Sequence, residues 1–172
     1  METQDTIRAR RNVRQYTDQA VDRADLERIL EAGRRAPSAG NSQPWNFVVV
    51  TDRGQLTDLA KAWPVGGGHI ARSSATIVLV AAEPADAASR DWLQFDLGQA
   101  AAYLMLTATD LGIGSGHAAV DDQDQARRVI GFPAGHFAAM MIGLGYPADR
   151  PLRPITNPKR RPFDEVVHWG RW

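Results

Sequence analysis

The chain has 172 residues and a mass of 18.9 kDa, enough for one domain with a substantial core. Its 20 basic and 20 acidic residues cancel, and a pI near 6.9 argues against a general nucleic-acid or membrane-surface binder. Cysteine is absent, which excludes disulfides, thiol catalysis and thiolate metal sites.

Residues 4–11 can open as a short helix running into Arg10-Arg11-Asn12-Val13-Arg14. Asp22-Arg23-Ala24-Asp25 has the oxygen-bearing cap and first-turn acid of a helix start. Leu26, Ile29, Leu30 and Gly33 follow at helical spacing, and Ala36-Pro37 closes that helix. Ser38–Ser42 is loop chemistry, and Trp45–Thr51 reads as a strand through its β-branched and aromatic residues. Gln55–Trp63 fits a helix, broken by Pro64-Val65-Gly66-Gly67-Gly68. Ala75–Ala82 is apolar throughout, as a central strand covered on both faces should be, yet far too short to cross a bilayer.

The longest predicted helix runs from about Ser89 to Leu111 and is apolar nearly all round beyond Leu97, the pattern of a buried or interfacial helix. Gly112–Gly116 ends it and leads into a short strand through Val120. Asp121–Ile130 reads as a surface helix with an acidic start, Phe137–Leu144 as a strand, and Gly145-Tyr146-Pro147 as a turn. These elements predict a single-domain α+β sandwich over 1–172. From Pro147 to Pro162 five prolines leave little autonomous packing, and two tryptophans follow in His168–Trp172; such a tail belongs on another surface, such as a second subunit. The acidic N-terminus has no apolar signal segment, so a cytoplasmic location is expected.

Three stretches carry candidate chemistry. Arg10, Arg11 and Arg14 present planar donor forks suited to a phosphate, and Lys159-Arg160-Arg161 repeats the theme at the other end of the chain. Two cationic clusters in a neutral chain are expected to gather around something anionic, although a basic helical face is the plainer alternative. Pro37, Ser38, Asn41, Gln43 and Trp45 bring hydroxyls, amides and an indole together, the side chains that hydrogen-bond a heterocycle's edges. Gly112-Ile113-Gly114-Ser115-Gly116 follows a helix and lacks the dinucleotide fingerprint, so a cap and tight turn explain it. His69, His117, His136 and His168 have no metal-ligand spacing, and no triad or Walker sequence is present. Chemistry is therefore expected of a bound cofactor.

Together these segments resemble the nitroreductase family of FMN enzymes. The similarity comprises residues 10–14, Ala36–Trp45, the helix Asp96–Leu111 running into Gly112–Ser115, Gly143–Pro147, and Lys159–Pro162, in order along nearly the whole chain. The resemblance implies a nitroreductase-like α+β sandwich with a central mixed sheet flanked by helices. It further implies an intertwined homodimer with FMN at the subunit interface, embraced by residues of about 148–172. Arg10 and Asn12 would contact the FMN phosphate and ribityl region, with Arg11 in the same binding set, and Arg14 would lie near the flavin pyrimidine edge. Lys159 and Arg160 would hold the phosphate, and Gly114 and Ser115 would lie beside the flavin. Pro37, Ser38, Asn41 and Gln43 would reach the isoalloxazine from the other subunit.

On this resemblance NADH or NADPH delivers hydride to flavin N5, and electrons pass to a small acceptor such as a nitroaromatic or quinone. No side chain is assigned a catalytic role; Arg14 acts as an electrostatic stabiliser, worth about a few kcal/mol where charge develops. Asn12 stands where the family commonly has Ser. The chain is short for the family, and Trp63–His69 and Glu83–Phe95 are the only candidate lid segments. The alternatives are a flavin carrier or redox sensor, a flavin-dependent dehalogenase or flavin-fragmenting relative, and a flavin-free module whose arginines meet an acidic partner.

Overall fold

Two apolar runs rich in β-branched residues and two glycine-containing segments become four strands in the computed structural model, which describes residues 1–172: β1 (Asn46–Val50), β2 (Ala75–Ala82), β3 (Gly114–Ala118) and β4 (His136–Gly145). The sheet order is β1-β2-β4-β3. Every neighbouring pair is antiparallel, so the expected mixed sheet is not formed by these strands. The helical crossover between β2 and β3 does return β3 in the direction of β2, but β4 inserts between them and opposes both. The parallel component is a single bridge, Asn12 to Ser115, on the outer edge of β3.

Six helices cover the sheet: α1 (Thr3–Ala9), α2 (Arg23–Arg34), α3 (Arg53–Ala60), α4 (Gly68–Arg72), α5 (Ala87–Asp110) and α6 (Gln123–Ile130). Side-chain alternation along β2 divides the core. Ala75, Ile77, Leu79 and Ala81 pack with Leu26 and Ile29 of α2 and with Leu97, Ala100 and Leu104 of α5. Val78 and Val80 pack on the other face with Leu56 and Leu59 of α3, Ile70 of α4 and Ala126 of α6. Burying each large aliphatic side chain is worth roughly 1.5–3 kcal/mol. The α2–α5 contact is close because Gly33 has no side chain; a Cβ there would sit 2.6 Å from Leu104 Cδ2.

Asp52, Asp86 and Asp122 cap α3, α5 and α6 by accepting the backbone N–H three residues on, at 2.7–2.8 Å. Asp22 occupies the corresponding place before α2 without a side-chain cap bond. Helix α4 was hidden in the sequence by the glycines before it, and the predicted helix at 4–11 ends sooner, at Ala9. Arg10 therefore leaves the helix in an extended conformation (φ −62°, ψ 123°) rather than continuing a basic helical face. No helix is long and apolar enough to cross a membrane.

Candidate functional site

Downstream of α1, the extended segment lies along the exposed edge of β3. Val13 N–H donates to the Ser115 carbonyl at 2.9 Å, and Thr17 N–H donates to the Tyr146 carbonyl at 2.9 Å. Extended backbone alternates its side chains, so Val13 is buried while Asn12 and Arg14 face outward. The seat for this segment is a floor of glycines. Gly114 pairs with Gly145, and Gly116 with Gly143, so all four share one face of the sheet. A Cβ on Gly114 would lie 2.7 Å from Val13 Cβ, and one on Gly145 would lie 2.8 Å from Tyr16 Cδ1. On Gly116 it would collide with the Val13 carbonyl oxygen. Tyr16 Oη lies 2.8 Å from the Val13 carbonyl and 3.1 Å from that of Gly143, fixing the turn behind Arg14; burial pushes its pKa up.

Gly114 and Gly116 are thus strand residues, not the tight turn read from the sequence; Gly112 alone takes the left-handed conformation that ends α5 (φ 77°). The signal was present as two Gly-x-Gly pairs at the period of a strand.

The cations collect at this edge. Arg10 is half-buried, with Nη2 3.1 Å from Met105 Sδ of α5 and 3.2 Å from Asn12 Oδ1. Burial, and then the charge of Arg160, hold its pKa below the ordinary value. Arg14 is exposed, and its charge acts on Tyr16, His69 and His117. None of Arg10, Arg14, Lys159 and Arg160 forms a salt bridge. Arg11 goes elsewhere: adjacent residues on an extended chain point apart, and its Nη2 bonds Asp149 and the Arg150 carbonyl at 2.7 Å each. It ties the tail to the N-terminal segment, alongside the bond from Ala148 N–H to the Gln15 carbonyl.

The second predicted cluster lies on the first half of α5. Ala39 N–H donates to both carboxylate oxygens of the buried Asp96 at 3.1 Å, and Gln99 Nε2 donates to the Pro37 carbonyl at 3.3 Å. Ser38 Oγ accepts from Gln43 N–H at 2.9 Å. Asn41 and Gln43 have positive φ (56° and 49°), an uncommon conformation for residues with side chains and one that concentrates at functional loops. No hydrogen bond joins this loop to Arg10, Arg14 or Arg160; the loop is held by Asp96 and Gln99 of α5, whereas Arg10 meets that helix at Met105.

Of the candidate lid tryptophans, Trp63 packs edge-on to His69, with ring centroids 6.4 Å apart, and is part of the fold. Trp92 is exposed beside Phe95. Ser115 was expected beside the flavin, whereas His117 drew notice in the sequence only as a histidine without metal-ligand spacing. Ser115 Oγ and His117 Nδ1 are buried without a hydrogen-bond partner, and they are neighbours on one face of β3. Both the unpaired cations and these orphaned polar atoms fit an anionic, hydrogen-bonding ligand such as FMN.

The fold and site define an α+β protein with a cation-lined sheet edge and a polar loop presented from the long helix. The family model described as Nitroreductase family matches residues 7–65 and 55–146. A protein of Archaeoglobus fulgidus, provisionally named NADH dehydrogenase/NAD(P)H nitroreductase, is 36% identical over 171 residues, covering 96% of each chain. A crystal structure from Clostridium acetobutylicum, provisionally named an NADH oxidase, superposes with a TM-score of 0.83 at 27% identity, over 98% of this chain and 100% of that one. An FMN-dependent nitroreductase structure from Clostridium difficile R20291 gives a TM-score of 0.83 at 25% identity, over 97% and 98%. The chain belongs to the nitroreductase family and is an oxidoreductase of that family.

Proposed function

We propose that this protein is an FMN-dependent NAD(P)H oxidoreductase acting on a small acceptor such as a nitroaromatic or a quinone. The observation that carries this reading is that Arg160, from the far end of the chain, comes within the field of Arg10, and that Arg10 and Arg14 act together on His117 of β3, all three arginines being without a carboxylate partner. The names of its relatives support the donor and cofactor.

Arg10, Asn12, Lys159 and Arg160 would hold the phosphate and ribityl end. Arg14, at the turn fixed from behind by Tyr16, would place a permanent positive charge at the ring end, and Gly114 and Ser115 would line the flavin. FMN held here would supply the redox chemistry between NAD(P)H and the acceptor. The protein side chains bind, orient and stabilise charge; none needs to transfer a proton or form a covalent bond. Arg11 is left out of this set because its guanidinium is already engaged by the tail.

The site needs a second copy of the chain. Pro37, Ser38, Asn41 and Gln43 then come from the partner subunit. Trp92, Phe95 and Tyr103 of α5, with Phe163, Trp169 and Trp172 of the tail, are exposed apolar surface that such a partner covers.

The experiment is an absorbance spectrum of the purified protein followed by anaerobic addition of NADH and then NADPH. Flavin bands that bleach support the reading, and the faster donor sets the preference. Bands that persist favour a carrier or sensor, and a colourless protein that cannot be reconstituted with FMN overturns the flavin assignment.

A further inference from the structure

His117 is the titratable group that the proposed cofactor contacts leave unused. Its ring is half-buried on β3, two residues after Ser115 and on the same face, and its Nδ1 has no hydrogen-bond partner. Buried side-chain polar atoms are nearly always paired, and an orphan beside a functional edge marks a missing partner. Ser115 Oγ, in a residue 1% exposed, is orphaned next to it. Two unsatisfied atoms from successive inward positions of one strand point to one ligand.

The surroundings of the ring are asymmetric. From the N-terminal segment, Arg10 and Arg14 act on it; from its own strand the neighbour is Ser115. Opposite it on β4 is Ile142, which carries no charge, and no carboxylate of α5 acts on the ring. Arg160 reaches Arg10 rather than the imidazole. With burial added to two cations and no acid to offset them, the free protein keeps this ring neutral, and its pKa lies below that of an ordinary histidine. An anion entering beside the two guanidiniums opposes their influence while leaving the ring buried. Their field offset, the protonated ring is favoured, and its unpaired Nδ1 is the atom left to take a partner as the site fills.

We infer that His117 takes up a proton from solvent when a phosphate-bearing anion of the FMN class binds beside Arg10 and Arg14, coupling cofactor affinity to pH. The inference rests on the FMN reading above. The proton adds to the neutral imidazole and no other bond changes, so the process is binding-linked protonation. Binding with proton uptake is tighter at lower pH, and affinity falls as pH rises through the ligand-bound pKa of the ring.

The test is an NMR titration of the histidine ring protons in the full chain, without ligand and then with FMN, riboflavin or inorganic phosphate. The chain has only four histidines, and sequential backbone-linked assignment identifies His117 without substitution. FMN is expected to raise the His117 pKa by about one pH unit, a tenfold coupling. Phosphate should raise it less, and riboflavin, which carries no anion, should leave it in place. Calorimetry in two buffers of different ionisation enthalpy should show uptake of protons with FMN, reduced in His117→Gln; the variant comparison removes the contribution of the phosphate's own titration. FMN that binds while the His117 pKa stays or falls overturns this inference and leaves the FMN reading standing. An equal shift with riboflavin overturns the anion account. Failure of FMN to bind at all overturns both.

Discussion

Arg160 lies close enough to Arg10, across the full length of the chain, for its charge to add to burial in lowering the Arg10 pKa. Two guanidiniums held together without an acid destabilise the free protein and stabilise an anion-bound one. Arg160→Ala is therefore expected to leave the melting temperature of the ligand-free protein unchanged or slightly raised. FMN affinity should fall by about tenfold or more, the scale of a lost hydrogen bond to a charged group. Fluorescence titration of FMN beside a thermal melt reads both quantities. Unchanged affinity would remove Arg160 from the site.

Arg14 is exposed and forms no salt bridge, so its removal should not disturb folding. Arg14→Ala is expected to keep the circular dichroism spectrum and to lower flavin affinity or slow flavin reduction by NAD(P)H about tenfold. If affinity and reduction rate both match the parent protein, the placement of Arg14 at the flavin is wrong.

The glycine floor makes a stability prediction independent of any ligand. Gly116→Ala forces a methyl group into the Val13 carbonyl, which is backbone and cannot rotate away. The expected loss is about 1–3 kcal/mol, with the N-terminal segment displaced. Gly131→Ala, at a site with open space but positive φ (69°), tests backbone strain alone and leaves residues 10–16 in place. Hydrogen exchange at Val13 N–H, bonded to Ser115, distinguishes the two: only the Gly116 variant should lose protection there.

His69 predicts the pH dependence of stability. It is 2% exposed, with Nδ1 3.0 Å from the Gly66 carbonyl and Nε2 3.2 Å from that of Gly116. Burial is the largest single influence on its pKa and lowers it; the two carbonyls raise it, Arg14 and Arg72 lower it, and the net shift is downward. The unfolded chain then binds more protons than the folded one below the ordinary histidine pKa of about 6.5. Stability is complete above that value and declines as pH falls through the window toward the lowered folded pKa. His117 acts in the same direction, so His69→Gln should flatten the slope between pH 7.5 and 5.5 without abolishing it. Urea denaturation at both pH values checks this, and a rise in stability on acidification would contradict a neutral His69.

The exposed apolar surface of α5 and the tail sets an expectation for assembly. Light scattering of the full chain should give twice the 18.9 kDa chain mass. Deleting residues 163–172 removes Phe163, Trp169 and Trp172, the last of which is 99% exposed, and should weaken both the dimer and FMN binding. A full-length monomer at micromolar concentration would refute the shared site.

Much of this protein is legible along the chain because the signals are local. The apolar run of β2 was read with its observed ends, and α5 to within two residues at its start, since burial demand and an aspartate cap are written in neighbouring positions. The compactness of the Arg10–Arg14 cluster and the hydroxyl-amide loop at 38–43 were equally visible. What tertiary structure alone decided was where these segments meet. The antiparallel order follows from β4 slotting between β2 and β3, the strand role of Gly114 and Gly116 from their pairing with Gly145 and Gly143, and the divergence of Arg11 from Arg10 from the extended backbone after Ala9. Propensity and periodicity act over a few residues. Whether Arg160 comes to Arg10, and whether His117 lies in their field, depends on the path of the whole chain between them.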